Sequence, residues 1–322
     1  MKKAIFVFDG MFEIFNDKKE EGEETEISYP EPSSPDAPAY SSGQSRVFVV
    51  SVGGSVLIGP KPDAENISRI TCCLNELIRQ GHKLVLVTGG GKVCRDYVRA
   101  AKDIGSNNFE LDELGIKVSR VNASLLIQAI ENAHPEVLTG VKQAAEVLEQ
   151  GKTPVFGGLM PGFTTDAVAA LLAEYLGGTF VNLSNVDGIF TADPAIHSSA
   201  VMYHEIGYDK LFEILLSNTM KPSQNLIVDL PAAMILKRSS LTAFFLNGQD
   251  AENLKAAIQG MPFKGTIVRP GAEELFDEEQ AKPKRKRAVR KKPAKRKPAS
   301  KKKSPKFYED DDEDLDPEKI KF

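Results

Sequence analysis

Residues 161–178 read PGFTTDAVAALLAEYLGG, a polar, acidic start running into an almost uncharged helical pattern. Either Thr164 or Thr165 can cap such a helix, and Asp166 suits the positive end of its dipole. Free N–H groups and hydroxyls at a helix start also suit phosphate. Four glycine turns repeat the theme: Gly53-Gly54-Ser55, Gly89-Gly90-Gly91-Lys92, Gly157-Gly158 and Pro161-Gly162. Glycine lets backbone N–H groups approach a polyanion with no β-carbon in the way. Two cations, Lys92 and Arg95, follow the triple glycine, and Asp112, Asp166, Asp187 and Asp193 supply carboxylates. That set fits a nucleotide carrying Mg2+, with protein cations and metal neutralising phosphate charge. A turn or cap role competes for each acid, most evenly at Asp187. Neither a Walker A loop nor GxGxxG is present, so the common nucleotide folds are excluded.

These turns need strands to end on. VFVVSVGG, GHKLVLVTGGG, TPVFGGLMPG, TFVNLSNVDG, LTAFFLNG and GTIV read as strands running into turns. Helices are expected over 63–79, with Ile67, Ile70, Leu74, Leu77 and Ile78 on one face, and after the triple glycine. Others are expected in VSRVNASLLIQAIENA, after Pro161, over 230–238 and in AENLKAAIQ. Strands alternating with helices predict a three-layer α/β/α sandwich with a mainly parallel central sheet, over about 46–270. In such a sheet ligands bind beyond the carboxyl ends of the strands, where the glycine turns fall.

The flanks differ in kind. Residues 17–45 are acidic, then rich in Pro and Ser, and are expected to be a disordered linker. The first sixteen residues are open between a strand and a docking segment. The tail from 271 is expected to be disordered, with 15 Lys/Arg among the 25 residues of 282–306 and eight acids over 309–318. The formal net charge of −4 hides this segregation. The basic run suits salt-dependent, non-specific nucleic-acid binding, unless the acidic run folds back on it. Cys72, Cys73 and Cys94 form no disulfide framework, and they and the four histidines show no zinc spacing. Asp9 interrupts the apolar run of MKKAIFVFDG, no bilayer-length apolar segment follows, and the protein is expected to be cytoplasmic.

SVGGSVL, VTGGGKVCRDY, DELGIKVSRVNASLL, PGFTTDAVAALLAE and NVDGIFTADP occur in the order seen in the amino acid kinase family. Over about 47–268 the chain most resembles the archaeal type of uridylate (UMP) kinase. The resemblance implies transfer of the γ-phosphoryl group of ATP to UMP with Mg2+, the family's α/β/α fold and a homohexamer. It places Gly54, Ser55, Gly91 and Arg95 against ATP or the transferring phosphate, with Ser184, Phe190 and Asp193 around the adenosine and its phosphates. Gly90, Asp112 and the loop Leu159, Met160, Pro161, Gly162, Phe163, Thr164 and Thr165 match the UMP side. Arg95 and Lys92 would stabilise charge, and Asp166 would organise the metal or cations between the phosphates. No residue is assigned as a direct metal ligand.

Three positions depart from the family pattern. Ser51 stands where many members have a lysine, Phe190 where a tyrosine is usual, and Met234 where the related kinases have a lysine. Lys221 and Lys237 are the cations near enough to stand in for the last. The altered 221–238 segment also resembles molybdenum/tungsten storage proteins of the same fold, which leaves storage as an alternative, beside a kinase for another small acceptor.

Overall fold

The computed structural model describes residues 46–276 apart from 195, 198, 220–226 and 273. The expectations placed on 1–45, on Lys221 and on the charged runs of the tail lie outside these residues.

Five β-branched or apolar positions of VFVVSV make β1 (Val47–Val52) a central strand, buried along almost its whole length. A one-turn helix, α1 (Gly54–Leu57), follows at once. Asp63 then caps α2 (Ala64–Arg79) by accepting the Asn66 N–H at 3.2 Å. Ile67, Ile70, Leu74 and Leu77 form its buried face, as their spacing requires. β2 (Lys83–Thr88) leads into α3 (Gly91–Asp103), and Asn107 with Glu110 forms a capping box that opens α4 (Asn108–Ile127). α4 starts ten residues before the expected 118. Its apolar period is broken by Ser119 and Asn122, which are buried because they face other loops.

Next come α5 (Gln143–Glu149), β3 (Val155–Phe156), α6 (Thr165–Leu176) and β4 (Thr179–Ser184). Gly177 ends α6 in the left-handed conformation, with φ of 60°. β5 (Tyr203–Ile206), α7 (Tyr208–Thr219), α8 (Leu230–Arg238), β6 (Ala243–Asn247), α9 (Ala251–Ile258), β7 (Thr266–Val268) and β8 (Leu275–Phe276) complete the described chain. β8 pairs antiparallel with β5, so regular structure continues past residue 270.

The strands form one sheet in the order β3-β2-β1-β4-β6-β7-β5-β8. The pairings of β1 with β2 and β4, of β2 with β3, of β4 with β6 and of β5 with β7 are parallel. Those of β6 with β7 and β5 with β8 are antiparallel, which makes the sheet mainly parallel as expected. Helices cover both faces. Phe48, Val50 and Val52 point to the side packed by α2 and α9. On the opposite face, Val49 and Phe180 pack against the alanine-rich inner side of α6 and against α8. Ser51 shares that second face, directly beside Asn182 in the register of β1 and β4.

Candidate active site

The carboxyl ends of β1, β2 and β4 gather the loops. Gly53 donates its N–H to Leu183 O at 2.9 Å, and Gly89 to Val52 O at 3.0 Å. The turns after β1 and β2 then touch backbone to backbone. A β-carbon on Gly91, whose φ is +68°, would lie 2.6 Å from Gly54 O, and one on Gly54 would lie 2.6 Å from Gly89 O. These two glycines are therefore required by the contact between the loops as well as by any ligand. The starts of α1 and α3 come side by side, and Arg95 reaches across to Ser55 Oγ at 3.4 Å. Lys92 is instead engaged with Asp96, one turn further along the exposed side of α3. Of the two cations after the triple glycine, Arg95 is the one that faces the β1 turn.

At the opening of α6 the cap is Thr164, whose Oγ1 accepts the Ala167 N–H at 3.2 Å. The same hydroxyl donates to Asp229 Oδ2. Asp229 in turn caps α8, its Oδ1 accepting the Ala232 N–H at 2.6 Å. Two helix N-termini are thus tied cap to cap, and their dipoles favour negative charge at this end of the sheet. Asp166 sits just inside α6. Ser51 Oγ donates to its Oδ1 at 2.7 Å, and Asn182 Nδ2 donates to the same oxygen at 3.1 Å. Burial pushes the Asp166 carboxyl up to about 6; the Ser51 hydroxyl opposes that, nearby Asp229 adds to it and Asn182 opposes it.

A cleft of about 350 Å3 opens beside this helix, within the roughly 300–1,000 Å3 range of small-molecule sites. Gly90, Asp112, Gly162, Phe163, Thr164 and Thr165, all expected on the acceptor side, line it. Leu159, Met160 and Pro161 do not. Leu159 packs against the core, and Met160 is exposed at the turn whose O accepts the Phe163 N–H at 3.3 Å. Gly162 takes a φ of +81° and donates its N–H to Asp112 Oδ2 at 2.8 Å, which pins the loop over the cleft.

The sequence places Ser119, Arg120 and Asn122 on a helix but gives no sign that this helix organises these loops. α4 holds Gly158 between Ser119 Oγ, which accepts its N–H at 2.8 Å, and Arg120 Nε, which donates to its carbonyl at 3.0 Å. Asn122 Nδ2 donates to Gly89 O at 2.8 Å and to Gly90 O at 3.2 Å. Cys94, Ile116 and Ser119 also line the cleft. The buried Ser and Asn that break the period of α4 were the available signal.

The donor-side residues are spread more widely. Ser184 ends β4, beside the β1 turn, and its hydroxyl pairs with the backbone of Val186. Phe190, half-buried, bridges to Met202, and the Asp193 carbonyl accepts N–H groups from Ile196 and His197. Neither lines the cleft, and Phe190 bridges to the residue just before β5. Asp187 is held by Lys264 and Asn247; burial works against ionisation, yet these partners keep its carboxyl below the usual range. It is a structural ion pair. Lys237 turns to Asp209 at 2.7 Å and lies over the Phe212 ring, and Met234 is exposed. Lys237 therefore does not stand in for a lysine at 234.

Comparison with known proteins agrees with this geometry. Residues 46–247 match the amino acid kinase family. The uridylate kinase of Haloarcula marismortui is 39% identical over 226 residues, covering 70% of this chain and 99% of that protein. The uridylate kinase of Thermococcus sibiricus is 40% identical over 225 residues, covering 69% and 99% respectively. Among solved structures, uridylate kinase from Archaeoglobus fulgidus is 36% identical, with a TM-score of 0.62 over 69% of this chain and 99% of that one. UMP kinase from Bacillus anthracis, at 20% identity and a TM-score of 0.62, shares the fold. With its family match spanning well over half its length and its loops meeting at one sheet edge, the chain belongs to the amino acid kinase family.

Proposed function

We propose that the protein is a uridylate kinase that transfers the γ-phosphoryl group of ATP to UMP, giving ADP and UDP. The observation that carries this reading is the cleft lined by Asp112 and Gly162 through Thr165, directly beside the start of α6. Its likeness to archaeal uridylate kinases over about 225 residues supports the same acceptor. Oxometalate storage is not favoured, because the similar curated proteins are uridylate kinases.

Little covalent chemistry falls to the protein in such a transfer; positioning and charge neutralisation carry it. Gly54, Ser55 and Gly91 would offer backbone and hydroxyl donors to the ATP phosphates, with Arg95 moving from Ser55 to the transferring phosphate. Ser184, Phe190 and Asp193 would hold the nucleoside end of ATP. Gly90, Asp112 and the 159–165 loop would hold UMP. Lys92 would lend charge from the rim after leaving Asp96. Among the described residues no group of three or more His, Cys, Asp or Glu side chains is gathered to cage a metal. Asp166, with Asp229 beside it, at the phosphate edge fits Mg2+ that arrives on ATP, and that Mg2+ would supply charge neutralisation between the phosphates.

Three broader features belong to the same proposal. The kinase domain starts near 46 and runs through β8 to about 276, between extensions of different composition. It works in the cytoplasm in pyrimidine nucleotide synthesis; no helix among the described residues is long and apolar enough to cross a membrane. It assembles as a homohexamer, which is supported by α3 having no buried residue and by Tyr97 on α3, Ile104 just past its end, and Phe109 and Val121 on α4 standing exposed.

The test is to offer UMP, CMP, dUMP and molybdate separately with ATP and Mg2+. UDP formed from UMP, well ahead of the other acceptors, is the expected result. Retention of molybdate with no nucleoside diphosphate formed would contradict the proposal.

A further inference from the structure

Two buried polar side chains interrupt strands that are otherwise apolar. Ser51 is 2% exposed and Asn182 is 4% exposed, and they are register partners on adjacent parallel strands. Apolar residues would pack this face at lower cost, since burying polar groups is unfavourable unless they are hydrogen-bonded. Both side chains point to the face covered by α6, and both donate to one atom, Oδ1 of Asp166. Among the described residues, Asp166 Oδ2 receives no hydrogen bond and no buried side-chain oxygen is left without a partner. Oδ2 therefore reaches solvent at the sheet edge. No lysine or arginine among the described residues pairs with this carboxylate. The charged group that faces it is Asp229, a like charge from the cap of α8.

Donors serving only to satisfy a buried carboxylate would gain most by dividing between its two oxygens. Converging on one oxygen fixes the plane of the group and leaves the other free. We propose that Ser51 and Asn182 are positioning residues that hold Asp166 by Oδ1 so that Oδ2 is presented to the phosphates in transfer. The proposal rests on the kinase reading above, and it assigns to two neutral donors the orientation of a carboxylate that has no cation partner among the described residues.

The experiment compares Ser51→Ala, Ser51→Thr, Asn182→Ala, Asp166→Asn and the double variant Ser51→Ala/Asp166→Asn, each checked for folding by its unfolding transition. Ser51→Ala and Asn182→Ala are expected to lower kcat roughly 10-fold or more, with KM for ATP and UMP nearly unchanged. Ser51→Thr keeps the hydroxyl and restores most of the rate. On the Asp166→Asn background, Ser51→Ala costs nothing further, because it acts through that carboxylate. In nucleotide-free protein, the Asp166 carboxyl followed by carbon NMR titrates at higher pH in Ser51→Ala than in wild type. Losses that multiply in the double variant, or an unchanged rate and unmoved titration in Ser51→Ala, would overturn the proposal. A wild-type chain that makes no UDP overturns the kinase reading instead. The NMR titration, which needs no substrate, then decides the cradle: a raised midpoint upholds it and an unmoved one overturns it.

Discussion

Gly162 donates its backbone N–H to Asp112 Oδ2 at 2.8 Å, across fifty residues of chain. This bond joins α4 to the loop over the cleft, and in the proposed kinase the other carboxylate oxygen would be left for UMP. Asp112→Ala should free the loop and remove that ligand contact together. Hydrogen bonds to charged groups contribute about 1.5–3 kcal/mol, so KM for UMP should rise roughly 10- to 100-fold. KM for ATP should change little, and steady-state kinetics with each substrate varied separately will show the split.

Arg95 and Lys92 follow the same glycine turn but face different neighbours. Arg95→Ala should lower kcat by roughly 10²–10³-fold, the cost of losing one preorganised charge at the reacting phosphate. Lys92→Ala, which breaks an exposed pair with Asp96, should cost less than a tenth of that loss. Equal losses from the two variants would place Lys92 at the phosphates as well.

The Asp166 carboxyl, raised from its ordinary 3.8 to about 6, makes a prediction about stability. A carboxyl whose folded value is raised binds its proton more tightly in the folded state. The chain therefore loses stability as pH rises from about 4 to about 6, and the cost stays in place above that. Asp166→Asn keeps an oxygen to accept from Ser51 and Asn182 but removes the charge. It should be more stable than wild type at pH 8, by at most on the order of 2–3 kcal/mol, with little gain at pH 4. Its activity should fall at every pH. Denaturant melts at the two pH values, alongside turnover, measure both effects.

Chelation should separate catalysis from folding. Since the described residues gather no metal cage, excess EDTA should abolish phosphoryl transfer yet leave the unfolding temperature of nucleotide-free protein unchanged. A fall in that temperature would reveal a resident structural metal.

The basic run over 282–306 offers a charge-based prediction. A chain ending at Phe276 should lose salt-sensitive retention on duplex DNA while keeping the full chain's kcat for UMP. Retention that persists without the tail would place the nucleic-acid contact on the folded domain.

The sequence made some parts of this site plain and hid others. β1 and β2 were legible as short apolar runs buried on both faces of the sheet, α2 by its single apolar face and α6 by its long uncharged run. The PGFTTDA start was legible because capping needs particular residue types at particular offsets, and Thr164 occupies that position. β5 and α7 were overlooked, the strand being only four residues long. The supporting shell was less legible still. Ser51, Asn182, Ser119, Arg120 and Asn122 act through partners far away in sequence, and long-range pairing leaves no local period. Gly54 and Gly91 read as phosphate turns, whereas the fold adds a second reason for them, the contact between their loops.

The most direct measurement follows the label from ATP carrying a labelled γ-phosphoryl group, incubated with Mg2+, UMP and the full chain. Label recovered in the β-phosphoryl group of UDP, in step with ADP formed, is the predicted result. Label released only as inorganic phosphate, or retained in ATP while UMP is unchanged, would contradict it.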